Sequence, residues 1–341
     1  MQQYILRRVL LNLLVIYFVA TLVFLLLRID TDYVVTQRAG QTSVAASGSS
    51  EDATEQAKKL VREDLGLDKP LLKQYWIYLK NLSKGDLGES YRQRGRKVTE
   101  ILLPAIWRSF QYNVIALGIT MTGGIALGVY AARRQGTWAD PASISFFLLL
   151  QSIPGLILVP FLLLIFALKL GWLPASGWPR ECPVELGFLG NSYDCIGVIS
   201  EEAIIPIIAY SLGGIAIWGR YTRAFVLGVM KEDYVRTARA KGVSEMNVMT
   251  RHVLRNALLP LSTIIAFALV GLLEGSFFVE TLTGVPGVGQ LAFTSIGSRD
   301  YDMILAITMI GATSFVLMSI LIDIVYTFID PRIRYDTRRS S

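Results

Sequence analysis

This sequence is short of charge, and nearly without histidine and cysteine. Asp, Glu, Lys and Arg together make up 18% of its 341 residues, while 52% are apolar. A soluble domain carries about 25% charged residues to coat its surface. Histidine occurs once, as His252, and cysteine twice, as Cys182 and Cys195. That is too little for most His/Cys metal sites or for a haem or flavin box, so no metal or cofactor is expected on this chain. No G-x-x-x-x-G-K-[ST] occurs, which leaves no loop of backbone amides to cradle a nucleotide. H-E-x-x-H is missing as well. A membrane-embedded Ser–His enzyme would need its histidine within a span, whereas His252 follows Arg251 in a basic stretch. No catalytic residue is assigned.

What is present is apolar sequence in long blocks. Stretches without Asp, Glu, Lys or Arg run over 9–27, 109–132, 141–168, 203–219, 256–273 and 303–322. About 20 apolar residues carry a helix across a hydrocarbon core about 30 Å thick. Inside lipid every backbone amide must be satisfied within its own segment, which favours helices. The expected fold is an all-α membrane protein with six transmembrane helices.

The net charge of +6 is explained by its placement. With the N-terminus cytoplasmic and each block crossing once, the inside segments hold sixteen Lys and Arg; eight of these, from Arg220 to Arg255, fall in one loop. The short outside loops 169–202 and 274–302 hold three, Lys169, Arg180 and Arg299. The first outside segment, 28–108, holds fourteen more, but it is too long for the rule that short inside loops are the positive ones. The bias is strong, so both termini are expected inside and no nucleic-acid partner is implied. The first block has a basic start in Arg7 and Arg8 but no small-x-small cleavage site after it, and it reads as a retained anchor. Cys182 and Cys195 share the second outside loop. They are either two thiols or a disulfide closing a small loop in an oxidising compartment, and their confinement to one exported loop favours the bond. By the loop-entropy model it would contribute about 3 kcal/mol.

The chain then divides into an N-terminal helix (1–28), an exported insertion (29–108), a five-helix core (109–330) and a cytoplasmic tail (331–341). Within the insertion, 43–50 is a Ser- and Ala-rich linker and 60–65 and 71–82 have helical spacing. The stripe Leu72, Tyr75, Trp76, Leu79, Leu82 marks a helix packed on the membrane surface or on a partner. Gly123, Gly124, Gly128, Gly213 and Gly214 allow helices to approach closely, and Pro154, Pro160, Pro206 and Pro260 are placed to kink spans. Segment 220–255 reads as two short amphipathic helices around Gly242, with Ser244 and Glu245 opening the second. Outside the membrane and between two spans, such a protrusion either lies on anionic headgroups or docks into a groove on a cytoplasmic partner.

The run Asp233-Tyr234-Val235-Arg236-Thr237-Ala238-Arg239-Ala240-Lys241-Gly242 resembles the EAA coupling loop of ABC importer permeases, in the form found in the oligopeptide, dipeptide and nickel branch. Further matches follow in family order: Leu65-Gly66-Leu67-Asp68-Lys69-Pro70, Gln74-Tyr75, Gly85-Asp86-Leu87-Gly88, Glu280 with Pro286-Gly287-Val288-Gly289, Arg299-Asp300-Tyr301 and Asp330-Pro331-Arg332. Arg236-Thr237-Ala238 stands where the wider family has Glu-Ala-Ala, and Glu274 where it usually has a small residue.

This resemblance implies a type I importer permease architecture, with the pore completed by a second homologous permease. Two cytoplasmic ATPases would carry ATP and Mg, and an extracytoplasmic binding protein would deliver the substrate. It assigns Asp233, Tyr234, Arg236, Thr237, Ala238, Ala240, Lys241 and Gly242 to coupling with the ATPases. Glu274 and Glu280 are candidates for a gate or the substrate path. For Glu274 the competing reading is a carboxylate marking the membrane boundary, since an ionisable group near a span end must reach water or a partner. A self-sufficient secondary transporter or channel is the competing class, and the charge-free centres of all six blocks give it no proton relay.

Overall fold

The computed structural model describes residues 2–28, 51–64, 66–93, 95–179 and 196–329, with isolated positions between 28 and 51. The sequence readings at Cys182, Cys195, linker 43–50 and Asp330-Pro331-Arg332 lie outside the described residues. Among the described residues there is no β-strand, only an isolated antiparallel bridge between Glu89 and Lys97.

The helices are α1 (Gln2–Leu27), α2 (Glu51–Asp64), α3 (Leu71–Ser83), α4 (Val98–Arg133), α5 (Ala139–Ser152) and α6 (Gly155–Leu162). Then come α7 (Ile204–Met230), α8 (Asp233–Ala240), α9 (Glu245–Asn247), α10 (Arg255–Glu274), α11 (Phe277–Thr283), α12 (Val288–Gly297) and α13 (Tyr301–Ile329). π-helical turns at Leu163–Lys169 and Val248–Leu254 extend α6 and join α9 to α10. Four of the described helices are long and apolar enough to cross a membrane: Val98–Arg133, Glu201–Met230, Glu245–Thr283 and Tyr301–Leu321. The block 141–168, expected as one span, is a pair bent by 93° between Ser152 and Gly155, which makes a fifth if counted as one. The cause is Pro154. A residue before proline is pushed out of the α region, and Ile153 is extended at φ −85°, ψ 110°. The apolar stretch Leu10–Leu26 of α1 is shorter than these.

The chain forms two compact units: residues 1–5, 103–293 and 314–341, and residues 6–102 with 294–313. In the first, α7 is central and packs on α5, α6, α10 and α11. Its crossing with α4 depends on missing side chains. A Cβ at Gly124 would come within 2.5 Å of Trp218 Cβ, one at Gly128 within 2.5 Å of the Gly219 carbonyl, and one at Gly214 within 2.5 Å of Thr120 Cγ2. Gly219 makes the same allowance for the Phe147 ring of α5. A Cβ at Gly213 would meet no atom within 4 Å, so of the paired glycines only Gly214 is needed for contact.

In the second unit α3 turns its helical stripe in two directions. Tyr75 meets the Thr21 hydroxyl of α1 at 2.5 Å and, with Tyr78, packs on Phe24, while Leu72 and Trp76 stay largely exposed. After α3, Gly85 and Gly88 take left-handed φ of 75° and 81°, a region that favours glycine. The loop that follows is held by one buried carboxylate. Asp300 accepts the Ser90 hydroxyl at 2.5 Å, the Tyr91 N–H at 2.9 Å and the Arg92 N–H at 3.3 Å. Arg299, at φ 51°, ends α12 and presents Asp300, whose own N–H bonds the Ser295 carbonyl at 2.9 Å. Asparagine at 300 would keep the shape but lose the charge and one acceptor oxygen. We expect Asp300→Asn to raise amide exchange across residues 88–98 roughly tenfold, since a charged hydrogen bond is worth about 1.5–3 kcal/mol. Hydrogen-exchange mass spectrometry measures it, and unchanged protection would show that the loop does not depend on Asp300.

Candidate coupling site and the buried Glu280 clamp

Segment 231–255 forms a protrusion with one buried and one open face. Val235 and Ala238 of α8 are buried with Val248, Met249 and Val253, against Ala132, Val226 and Ala257. The spacing of 235 and 238 puts both on one helical face, which seats α8 on its own chain. Ala238 therefore spends its small side chain on that internal contact. Asp233, Tyr234, Arg236, Thr237, Ala240 and Lys241 lie on the exposed face. Burial and the charge of Glu232 push the Tyr234 phenol above its ordinary range, so it stays neutral at physiological pH. The Arg236–Asp233 pair is exposed, at 3.4 Å, and such pairs add little stability.

Gly242 closes α8. Its φ is 76°, its N–H bonds the Arg239 carbonyl at 2.9 Å, and Val243 N–H reaches the Ala238 carbonyl at 3.3 Å. A left-handed residue just past a helix end is the usual way to satisfy the last carbonyls. α9 then opens from extended Ser244, whose carbonyl accepts Val248 N–H at 2.9 Å. Its side chain makes no cap bond. Arg239 spans the turn with two bonds to Glu245, Nε–Oε2 at 3.1 Å and Nη2–Oε1 at 2.7 Å. Sequence reasoning left Arg239 out of the site, though an acidic residue six positions on, across a Gly turn, was a visible signal. A second two-pronged pair also escaped it: Arg223 of α7 to Asp140 at the start of α5, at 2.6 and 2.8 Å.

His252 lies in the π-helical turn, and its carbonyl accepts the Asn256 amide at 2.7 Å. Glu274 is exposed at the C-terminal end of α10, before Gly275 at φ 72°. Glu280 is the opposite case, with no exposed surface. Its Oε1 accepts Ser109 Oγ and Tyr112 OH, both at 2.7 Å, and Ser276 N–H at 3.2 Å. Its Oε2 accepts the N–H groups of Gly289 at 2.6 Å and Gln290 at 3.1 Å. Ser109 Oγ in turn accepts Val288 N–H at 2.9 Å. One carboxylate thus ties α4 to the N-terminal ends of both α11 and α12. The glycines of Pro286-Gly287-Val288-Gly289 make room for this: a Cβ at Gly287 would strike the Glu280 carboxyl carbon at 2.6 Å, and one at Gly289 the Ser276 carbonyl at 2.6 Å.

Among the described residues, several apolar helices long enough to cross a membrane, with a short helical protrusion between two of them, define a multi-pass membrane protein. The chain belongs to the family described as "Binding-protein-dependent transport system inner membrane component", whose model matches residues 124–335. The model for the N-terminal part of such components matches residues 1–116. It is similar to the oligopeptide transport system permease protein OppB of Haemophilus influenzae, 35% identical over 269 residues, 79% of this chain and 82% of that one. The glutathione transport system permease protein GsiC of Shigella flexneri is 34% identical over 338 residues, 98% of this chain and 100% of that one. The dipeptide transport system permease protein DppB of Alkalihalophilus pseudofirmus is 34% identical over 294 residues, 84% and 88%. The chain is thus a multi-pass permease of the peptide branch of ABC importers, in the bacterial inner membrane. Membership of this family implies ATPase and binding-protein partners.

Proposed function

We propose that this chain is one pore-forming half of an ATP-driven importer of short peptides. The exposed face of α8, closed by left-handed Gly242, is the observation that carries this reading: a helix seated by Val235 and Ala238 presents Tyr234, Arg236 and Lys241 outward as a rigid knob. A second, homologous permease completes the pore. Two ATPase subunits, which hold the ATP and Mg, receive the knobs, and an exported binding protein delivers the cargo. With α1 as a span and the bent α5–α6 pair as one, the chain crosses six times with both termini inside. ATP binding closes the ATPases, the coupling helices follow, and the spans rock outward to accept substrate. The peptide cargo is supported by three relatives whose names give oligopeptide, glutathione and dipeptide.

The test is Gly242→Val. Nothing lies within 4 Å of a Cβ there, so the change adds no clash. It disfavours the left-handed turn by about 1–2 kcal/mol and re-aims the helix pair. Expected is a stable, membrane-inserted protein that co-purifies with ATPases, whose peptide uptake falls at least roughly tenfold while ATP hydrolysis no longer responds to substrate-loaded binding protein. Normal uptake by this variant would remove the coupling assignment. Purification of the wild-type chain in mild detergent without any ATPase would remove the importer reading itself.

A further inference from the structure

The second compact unit holds a cavity of about 280 Å³ that the transport reading does not use. Arg28, at the end of α1, and Lys69 bring two cations to its wall, and Asp86 and Asp302 bring two carboxylates. Arg28 lies over the Phe24 ring at 5.2 Å, and among the described residues neither it nor Lys69 has a carboxylate within ion-pair distance. Asp86 accepts the Gly88 N–H at 3.1 Å. Gly88 is needed here, because a Cβ on it would lie 2.7 Å from Asp302 Oδ2. Two further wall residues carry polar atoms that are shielded from water and have no hydrogen-bond partner, the Tyr78 hydroxyl and Gln74 Oε1. Burial, with the charge of Asp302, pushes the Tyr78 phenol up to about 12, so it remains a donor.

The other side of the cavity is apolar. Leu305, Ala306 and Met309 come from the second and third turns of α13, a helix apolar enough to cross a membrane. At 1.5 Å per residue, Met309 lies about 10 Å further along the helix than Asp302. Along α13 the cavity thus grades from a mouth with both signs of charge, where α1 ends and α13 begins, to an apolar floor within the stretch of α13 that is long and apolar enough to cross a membrane. A water-soluble zwitterion would use the mouth and leave the floor bare. An amphiphile uses both.

We propose that this cavity binds a phospholipid with an amine-bearing zwitterionic headgroup. Its phosphate faces Arg28 and Lys69, its ammonium faces Asp86 and Asp302, and its first acyl segments lie on Leu305, Ala306 and Met309. The site does not depend on the identity of the transported solute.

The test is native mass spectrometry of the full-length chain with its co-purifying subunits, equilibrated with equal amounts of phosphatidylethanolamine and phosphatidylglycerol. Expected is retention of phosphatidylethanolamine in clear excess. Combining Arg28→Gln with Lys69→Gln lowers that adduct roughly tenfold, the scale of one lost charged hydrogen bond. Asp86→Asn with Asp302→Asn shifts retention towards phosphatidylglycerol, which lacks the ammonium. Ala306→Trp fills the floor without touching a charge, and it abolishes the adduct while the same subunits co-purify. Equal retention of both lipids by the wild type overturns the proposal, and that measurement needs no variant. Displacement of the lipid by dialanine, with dialanine retained in its place, also overturns it and assigns the cavity to a soluble zwitterion.

Discussion

Gly128→Val is expected to prevent recovery of folded permease, or to lower its apparent melting temperature in detergent by roughly 10 °C or more. The first added carbon alone would fall 2.5 Å from the Gly219 carbonyl oxygen, 2.6 Å from Thr222 Cβ and 3.0 Å from the Arg223 amide nitrogen. Two of these three neighbours are backbone, so a rotamer change cannot relieve the overlap and α4 and α7 must separate. Overpacking in a close-packed interior costs about 1–3 kcal/mol even where side chains can move, and here the backbone must move instead. Separation would also disturb the Arg223–Asp140 pair, whose guanidinium belongs to the same turn of α7. Gly213→Ala is the matched control, since nothing lies within 4 Å of its added carbon. It should melt with the wild type. Fluorescence-detected size-exclusion chromatography after heating distinguishes the two. A Gly128→Val protein as stable as Gly213→Ala would mean that the α4–α7 crossing is looser than described.

Glu280→Gln is expected to cost about 3 kcal/mol or more. Five donors converge on this carboxylate, and a glutamine offers one acceptor oxygen and an NH₂ group. In one orientation the NH₂ points at the N–H groups of Gly289 and Gln290; in the other it meets Ser109, Tyr112 and Ser276. In the first, two fixed N–H donors face a donor; in the second, the Ser109 and Tyr112 hydroxyls must turn to accept the NH₂ and find other acceptors for their own protons, and each unsatisfied buried group costs about 1–3 kcal/mol. Glu280→Ala should be worse, because it takes the acceptor from four of the five, only Ser276 N–H keeping the Tyr112 hydroxyl at 3.1 Å. Thermal stability and transport must be read together. A clamp loses stability first and transport with it, whereas a gate residue would lose transport at unchanged stability. Full stability of Glu280→Gln with transport abolished would return Glu280 to the substrate path.

Some of this was legible because it depends on neighbours in sequence. Apolar blocks about as long as a bilayer crossing marked the helices of a membrane protein. Gly242 after an amphipathic run marked the helix end, since φ above zero favours glycine whatever surrounds it. The proline at 154 signalled a break, but only the folded chain shows its size. The glycines at 124, 128 and 214 signalled close approach, yet Gly213 carries the same letter and meets nothing.

Side-chain direction was harder to read. Ala238 and Ala240 look equivalent in the run Thr237-Ala238-Arg239-Ala240, but α8 buries the first in its own chain and exposes the second. Glu280 and Glu274 are both carboxylates near span ends. Which one is sealed beneath five donors and which is exposed depends on Ser109 and Tyr112, about 170 positions earlier in the chain.

Hydropathy, charge count and motif are properties of short segments, and they were enough to read that this chain crosses a membrane as helices, that one loop between two spans carries eight of its Lys and Arg, and that it has no G-x-x-x-x-G-K-[ST] loop. The tertiary structure alone decided which glycines are contacts, which carboxylate is a clamp and where opposite charges meet over an apolar floor. Those depend on distances between residues far apart in the chain, which exist only once the helices have packed.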